Sequence, residues 1–211
     1  MQTSNESGAT SVNNQIKETA IAESNRRQSY INTVYNHNYD SGCNELNIIL
    51  VNDTDKTQTF KLAFDGELLE PEEIAPRAEH IINHQWSEYP DPAFNESKVE
   101  INIIGNITSI DFQESVFLTD LEVNNPYLKK LDCAACTDLR RLTVVNIEAV
   151  NEVHFSWCAL DKDDLNKLFE ALPVNDEGKI YIQESAGAAD CDRSIAEKKG
   201  WKFEEYNLGK G

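Results

Sequence analysis

The sequence predicts a mainly β chain with a few helices. It reads as a polar N-terminal arm, a small antiparallel β domain, and a short stack of strand-bearing repeats closed by a helix and strand. Three observations predict this. Apolar and polar residues alternate at period two in several segments between residues 45 and 104. Beyond residue 106 an apolar-x-x-apolar-x-apolar pattern recurs five times, in steps of 10 or 11 residues. The length of 211 residues suits one domain or two small ones.

The first 42 residues are rich in Asn, Ser, Thr and Gln and poor in large apolar side chains, so they cannot bury enough surface to fold alone. Ile16, Ala20, Ile31 and Val34 suggest a helix over 14–35, although Asn25, Arg26 and Arg27 interrupt its stripe. The segment is either a solvated linker or an arm that docks on a partner. Residues 43–105 then read as a small β-sandwich-like domain. Leu46, Ile48 and Leu50 mark one strand, Phe60, Leu62 and Phe64 a second, and Val99, Ile101 and Ile103 a third; His80-Ile81-Ile82 suggests a fourth. Asn52–Asp55 and Asp65-Gly66 carry turn chemistry. Trp86–Phe94 contains Pro90 and Pro92 and reads as a loop.

Residues 106–211 hold the repeats and their cap. The middle apolar positions are Ile110, Leu121, Leu131, Leu142 and Val153. Two steps span 21 or 22 residues, inside the ~20–29 residue period of leucine-rich repeats. A single such segment cannot hide its apolar face, whereas stacked coils bury a continuous core. Few coils need a cap, and Asp161–Leu172 supplies a helix for it. Asp161 is placed to cap that helix, Asp163 and Asp164 suit its positive end, and Leu165, Leu168, Phe169 and Leu172 form one apolar face. Pro173 stops it. A strand at Lys179–Ile182, a short helix at Asp192–Lys199 ended by Gly200, and a last strand at Trp201–Phe203 follow.

The segment Leu128-Lys129-Lys130-Leu131-Asp132-Cys133-Ala134-Ala135-Cys136-Thr137-Asp138-Leu139 resembles the repeat of bacterial leucine-rich-repeat surface proteins. The ending is similar to that family's C-terminal cap, from Leu165–Pro173 through Gly178–Ile182 to Ala189–Trp201. The resemblance covers about 106–206. It implies a short leucine-rich-repeat solenoid acting as a non-catalytic interaction scaffold, without naming a ligand.

The remaining chemistry is sparse. Asp+Glu number 37 against 19 Lys+Arg, a net charge of −18, which disfavours nucleic acid and anionic membranes as partners. No apolar run approaches the ~20 residues of a membrane helix, and Met1–Asn5 lacks the pattern of a signal peptide. The five cysteines (Cys43, Cys133, Cys136, Cys158, Cys191) read mostly as buried free thiols. Cys133 and Cys136 have metal-like spacing but no second ligand pair, so no metal and no cofactor are expected. His80 and His84 read as surface or turn histidines. His154 and Cys158 offer an imaginable Cys–His pair with nothing to orient it.

What remains is surface. The outward positions Lys129, Lys130, Asp132, Arg140, Arg141, Thr143, Glu152 and His154 are either a contact patch or solvated charges, and Trp86, Tyr89 and Phe94 are a possible aromatic tip. The expected function is therefore a non-enzymatic protein-interaction or adhesion module. Its partner, a protein or a glycan, meets the solenoid face or loop 86–94. The alternative is a structural accessory of a larger assembly such as a bacteriophage virion, anchored by the arm. The expected location is the cell surface or outside the cell if Met1 is not the native start, and the virion on the alternative reading.

Overall fold

The computed structural model describes residues 29–36, 45–85, 98–112 and 114–205. Among them, fourteen strands and two helices form. The strands are β1 (Tyr30–Asn36), β2 (Glu45–Asn52), β3 (Gln58–Phe64), β4 (Glu67–Leu68), β5 (Glu72–Ile74), β6 (Ala78–Gln85) and β7 (Lys98–Gly105). They continue as β8 (Ser109–Asp111), β9 (Leu118–Asn124), β10 (Lys130–Asp132), β11 (Arg141–Val145), β12 (Glu152–His154), β13 (Lys179–Tyr181) and β14 (Lys202–Phe203). The helices are α1 (Lys162–Ala171) and α2 (Ser194–Glu197).

The strands make two mixed seven-stranded sheets. The first runs β11-β9-β1-β7-β3-β4, with β5 also on β3; the second runs β14-β13-β12-β10-β8-β2-β6. Pairing is antiparallel where β1, β2 and β3 take part and parallel for β9–β11 and for β8–β10–β12–β13–β14. From β8 to β12 successive strands alternate between the sheets. The parallel pairs place Ile110 beside Leu131, Leu131 beside Val153, and Leu121 beside Leu142, which are 21 or 22 residues apart. Their inward side chains join those of the antiparallel strands in one buried apolar cluster.

The arm behaves differently from the expected helix. Residues 30–36 form a strand, and β1 lies between β7 and β9, bonded to both. Ile31, Thr33 and Tyr35 are buried, while Tyr30, Asn32 and Val34 are half-buried on the other side. The apolar spacing of Ile31 and Tyr35 suits period two as well as period 3.6, and the slot between two strands decides it. The rest of the expected helix, 14–28, lies outside the described residues, as do Trp86, Tyr89 and Phe94. The boundary expected at 105/106 is crossed by hydrogen-bonded pairing in both sheets: β1 joins β7 to β9, and β2 joins β6 to β8.

The cap follows from local chemistry. The Asp161 carboxylate accepts the N–H groups of Asp163 and Asp164 at 2.8 and 2.9 Å and so caps α1. Leu165, Leu168 and Phe169 are buried, and α1 packs on β11. At its other end, Lys199 Nζ donates to the carbonyls of Phe169, Glu170 and Leu172 at 3.1, 2.6 and 2.8 Å. This supplies the donors that the last turn lacks. The indole N–H of Trp201 reaches the Pro173 carbonyl at 2.7 Å.

The strands β8, β10, β12 and β13 are each followed by the same turn. Glu114, Ala135, Trp157 and Glu184 occupy it with φ of 64, 60, 59 and 57°. Gly or Asn ordinarily takes such positions. Here the turns stack: the N–H of Glu114 donates to Ala134 O at 2.9 Å, that of Ala135 to Ser156 O at 2.9 Å, and that of Trp157 to Gln183 O at 3.0 Å. The residue after each is small and buried: Ser115, Cys136, Cys158 and Ser185. This slot explains two of the cysteines. Cys136 Sγ donates to Phe112 O and Cys158 Sγ to Cys133 O, both at 3.0 Å.

Candidate functional site

Period two sets the outward face of the second sheet. On β10, Leu131 points into the core, so Lys130 and Asp132 point out. Parallel register then stacks like positions into two rows. Ser109, Lys130, Glu152, Lys179 and Lys202 form one row, and Asp111, Asp132, His154 and Tyr181 form the other.

The centre of this face is a coupled group. Lys130 Nζ lies 3.2 Å from Asp132 Oδ2 and 3.4 Å from Glu152 Oε1. His154 Nε2 lies 3.1 Å from Glu152 Oε1, and its Nδ1 lies 3.4 Å from Asp132 Oδ2. The His154 and Tyr181 rings are 4.0 Å apart. Asp132 and His154 occupy outward positions, yet both are buried, 3% and 6% exposed. Neighbouring side chains in the two rows cover them. Asp132 Oδ1 also accepts the Ala134 N–H at 3.0 Å, which anchors the turn beyond β10. Burial works to lower the Lys130 ammonium, but the Asp132 and Glu152 carboxylates overcome this and hold it above its ordinary value.

His154 is held below its ordinary 6.5 by burial and by the Lys130 charge, against the pull of Asp132 and Glu152. In the unfolded chain the ring takes a proton near 6.5; in the folded chain it does so only at lower pH. Between the two values the unfolded state binds more protons, so stability falls as pH drops below 6.5 and stops falling beneath the folded value. Urea midpoints measured from pH 7 to about pH 5 should therefore drop more for the parent chain than for His154→Gln. Equal drops would remove His154 from the pH response. Asp53, lowered chiefly by its hydrogen bond to Lys129, acts in a separate, more acidic window.

The other expected site residues lie elsewhere. Lys129 is exposed and reaches Asp53 at 2.7 Å. Arg140 is exposed, 3.7 Å from Asp138. Arg141 and Thr143 are on β11, in the first sheet, where Arg141 pairs with Asp120. The basic cluster between 129 and 141 is thus divided between two sheets. His154 and Cys158 are not brought together: the histidine sits among carboxylates, while the Cys158 thiol bonds the Cys133 carbonyl and burial pushes it up. Burial likewise raises the Cys133 thiol well above its ordinary range. Cys133, Cys136 and Cys158 are free and buried. His80 is half-buried on β6, where the His80-Ile81-Ile82 pattern places a strand, edge-on to Phe60 at 4.9 Å and 3.2 Å from Glu72.

Sequence reasoning missed the far end of the face. Asn151, Glu152, Asn175, Glu177, Lys179, Lys202 and Glu204 line a cleft of about 500 Å³ there. Lys179 and Lys202 are exposed cross-strand neighbours. The signal was available: Ile180 and Phe203 continue the inward column of Val153, which places Lys179 beside Glu152 and Lys202 beside Lys179. Among the described residues no group of three or more His, Cys, Asp or Glu is placed to hold a metal ion, and no helix is long and apolar enough to cross a membrane.

No protein-family model, curated protein or solved structure matches the chain.

Proposed function

We propose that the chain is a non-enzymatic binding module, in which a short leucine-rich-repeat solenoid holds out the face of its second sheet to a protein partner. The observation that carries this is the pair of rows on that face: five parallel strands in continuous register present ammonium, carboxylate, imidazole and phenol groups side by side. The 21- and 22-residue pairing offsets and the stacked turns support the repeat reading. A rigid sheet is a good platform for recognition, because its side chains lose little freedom on binding. The partner brings carboxylates to Lys179 and Lys202 and an apolar contact to Tyr181.

The test uses a photo-crosslinking residue at Lys179, with Thr143 on the other sheet as the control position. A discrete protein should be trapped from position 179 and not from 143. Against that purified protein, the double variant Lys179→Glu, Lys202→Glu should bind at least tenfold more weakly. Equal trapping from both positions, or unchanged affinity in the variant, would remove this face as the binding surface.

A further inference from the structure

The first sheet carries a groove separate from the face just described. The sheet's strands β11, β9, β1, β7 and β3 share one rim, and the groove, of about 510 Å³, runs across it. Five adjacent strands span roughly 19 Å, so the groove is long for its volume. Its lining includes Lys61, Asn106, Asn124, Tyr127, Asn146 and Glu148. Tyr127 projects, 51% exposed.

The groove is built rather than incidental. The buried Asn125 fixes the loop that carries Tyr127: its Oδ1 accepts the Tyr127 N–H at 3.1 Å, and its Nδ2 donates to the Ile107 carbonyl at 3.1 Å. Asn146 Nδ2 donates to Asn124 Oδ1 at 2.9 Å, and Ser29 Oγ to Asn106 Oδ1 at 3.0 Å, which orients the amides. At Gly105 on the floor, a Cβ would stand 3.0 Å from both Phe60 Cβ and Thr59 O, so the backbones approach closely there.

We propose that this groove binds a neutral oligosaccharide. One sugar ring stacks its C–H face on the electron-rich face of Tyr127, and hydroxyls are shared among Asn106, Asn146 and Glu148. The chemistry fits for three reasons. A hydroxyl both donates and accepts, as does a side-chain amide. A carboxylate accepts from two adjacent hydroxyls at once. The apolar contribution is a flat ring with a negative face, which suits polarised C–H groups. A peptide lying across the groove adds no strand to β1, β7 or β9, which are already paired on both edges; the open edge of β11 lies at the end of the sheet.

The experiment is calorimetric titration of the full chain with soluble neutral oligosaccharides of graded length, in gluco-, manno-, galacto- and N-acetylglucosamine series. Saturable binding to one series is expected, tightening with length until the groove is filled. Tyr127→Ala and Asn146→Ala should each weaken it at least tenfold without lowering the melting temperature by more than a few degrees. Lys179→Ala, on the other sheet, should leave it unchanged. Absence of binding to every series, or binding that survives both groove substitutions, overturns the proposal. Peptides selected from a display library that bind at Tyr127 while no sugar does would assign the groove to a peptide instead.

Discussion

A chain that starts at Gly42 is expected to lose its cooperative fold, whereas one that starts at Ser29 keeps it. The reason is the place of β1. Ile31 and Tyr35 are fully buried and Thr33 is 1% exposed, with its hydroxyl on the Ile101 carbonyl at 3.0 Å. Without β1, β7 and β9 lose the strand that joins them, and Ile101, Ile103, Leu121 and Val123 lose their cover. Each large side chain withdrawn from the core costs about 1.5–3 kcal/mol, and two ladders of backbone hydrogen bonds go with them. That sum is comparable with the whole stability of a domain, about 5–15 kcal/mol. Urea unfolding followed by circular dichroism should give a sigmoidal transition for the Ser29 chain and none for the Gly42 chain. Matching midpoints would mean that β1 is dispensable.

Asp132→Ala is expected to cost about 2–4 kcal/mol, a large effect for one residue on a sheet face. Three groups depend on its carboxylate: the Ala134 N–H, the Lys130 ammonium and the His154 ring. Leaving a buried donor unmade costs about 1–3 kcal/mol. Removing one partner of a buried charge pair is costlier than the pair itself is worth, although Lys130 is 38% exposed on its side chain and water recovers part of that loss. Asp132→Asn keeps an acceptor for Ala134 and should lose less than the alanine variant. The check is the urea midpoint at unchanged slope. If the alanine and asparagine variants unfold together, the Ala134 contact is not what Asp132 supplies.

Much of this fold was legible because alternation and repeat period are simple signals. The inward column Ile110, Leu131, Val153 was readable from spacing, and the register places those residues side by side. The cap at Asp161 was readable from helix-end chemistry. What could not be read was long-range. Nothing local tells Ile31 and Tyr35 that a gap between β7 and β9 awaits them. The candidate site was half legible for the same reason. Outward positions along one strand follow from period two, but which neighbours cover Asp132 and His154 depends on the strand that arrives beside them. The basic residues from Lys129 to Arg141, adjacent in sequence, fall on two sheets because a step of 10 or 11 residues carries the chain from one sheet to the other.

The position of β1 also has a consequence during synthesis. The chain emerges from the ribosome N-terminus first, yet Thr33 bonds a residue 68 positions later and Tyr30 bonds one 92 positions later. At roughly 5–20 residues per second, β1 waits about 5–18 s for its second neighbour. Until β7 is made, β1 is an alternating strand with two open edges, and one edge stays open until β9 follows; such a segment is the kind that holdase chaperones capture and that pairs wrongly with nascent copies on the same polysome. The later parallel strands face no such delay, since Arg141 meets Asp120 only 21 residues back. Slowed translation between residues 36 and 124 would prolong the vulnerable interval, and yield in the cell would fall although the finished protein is unchanged.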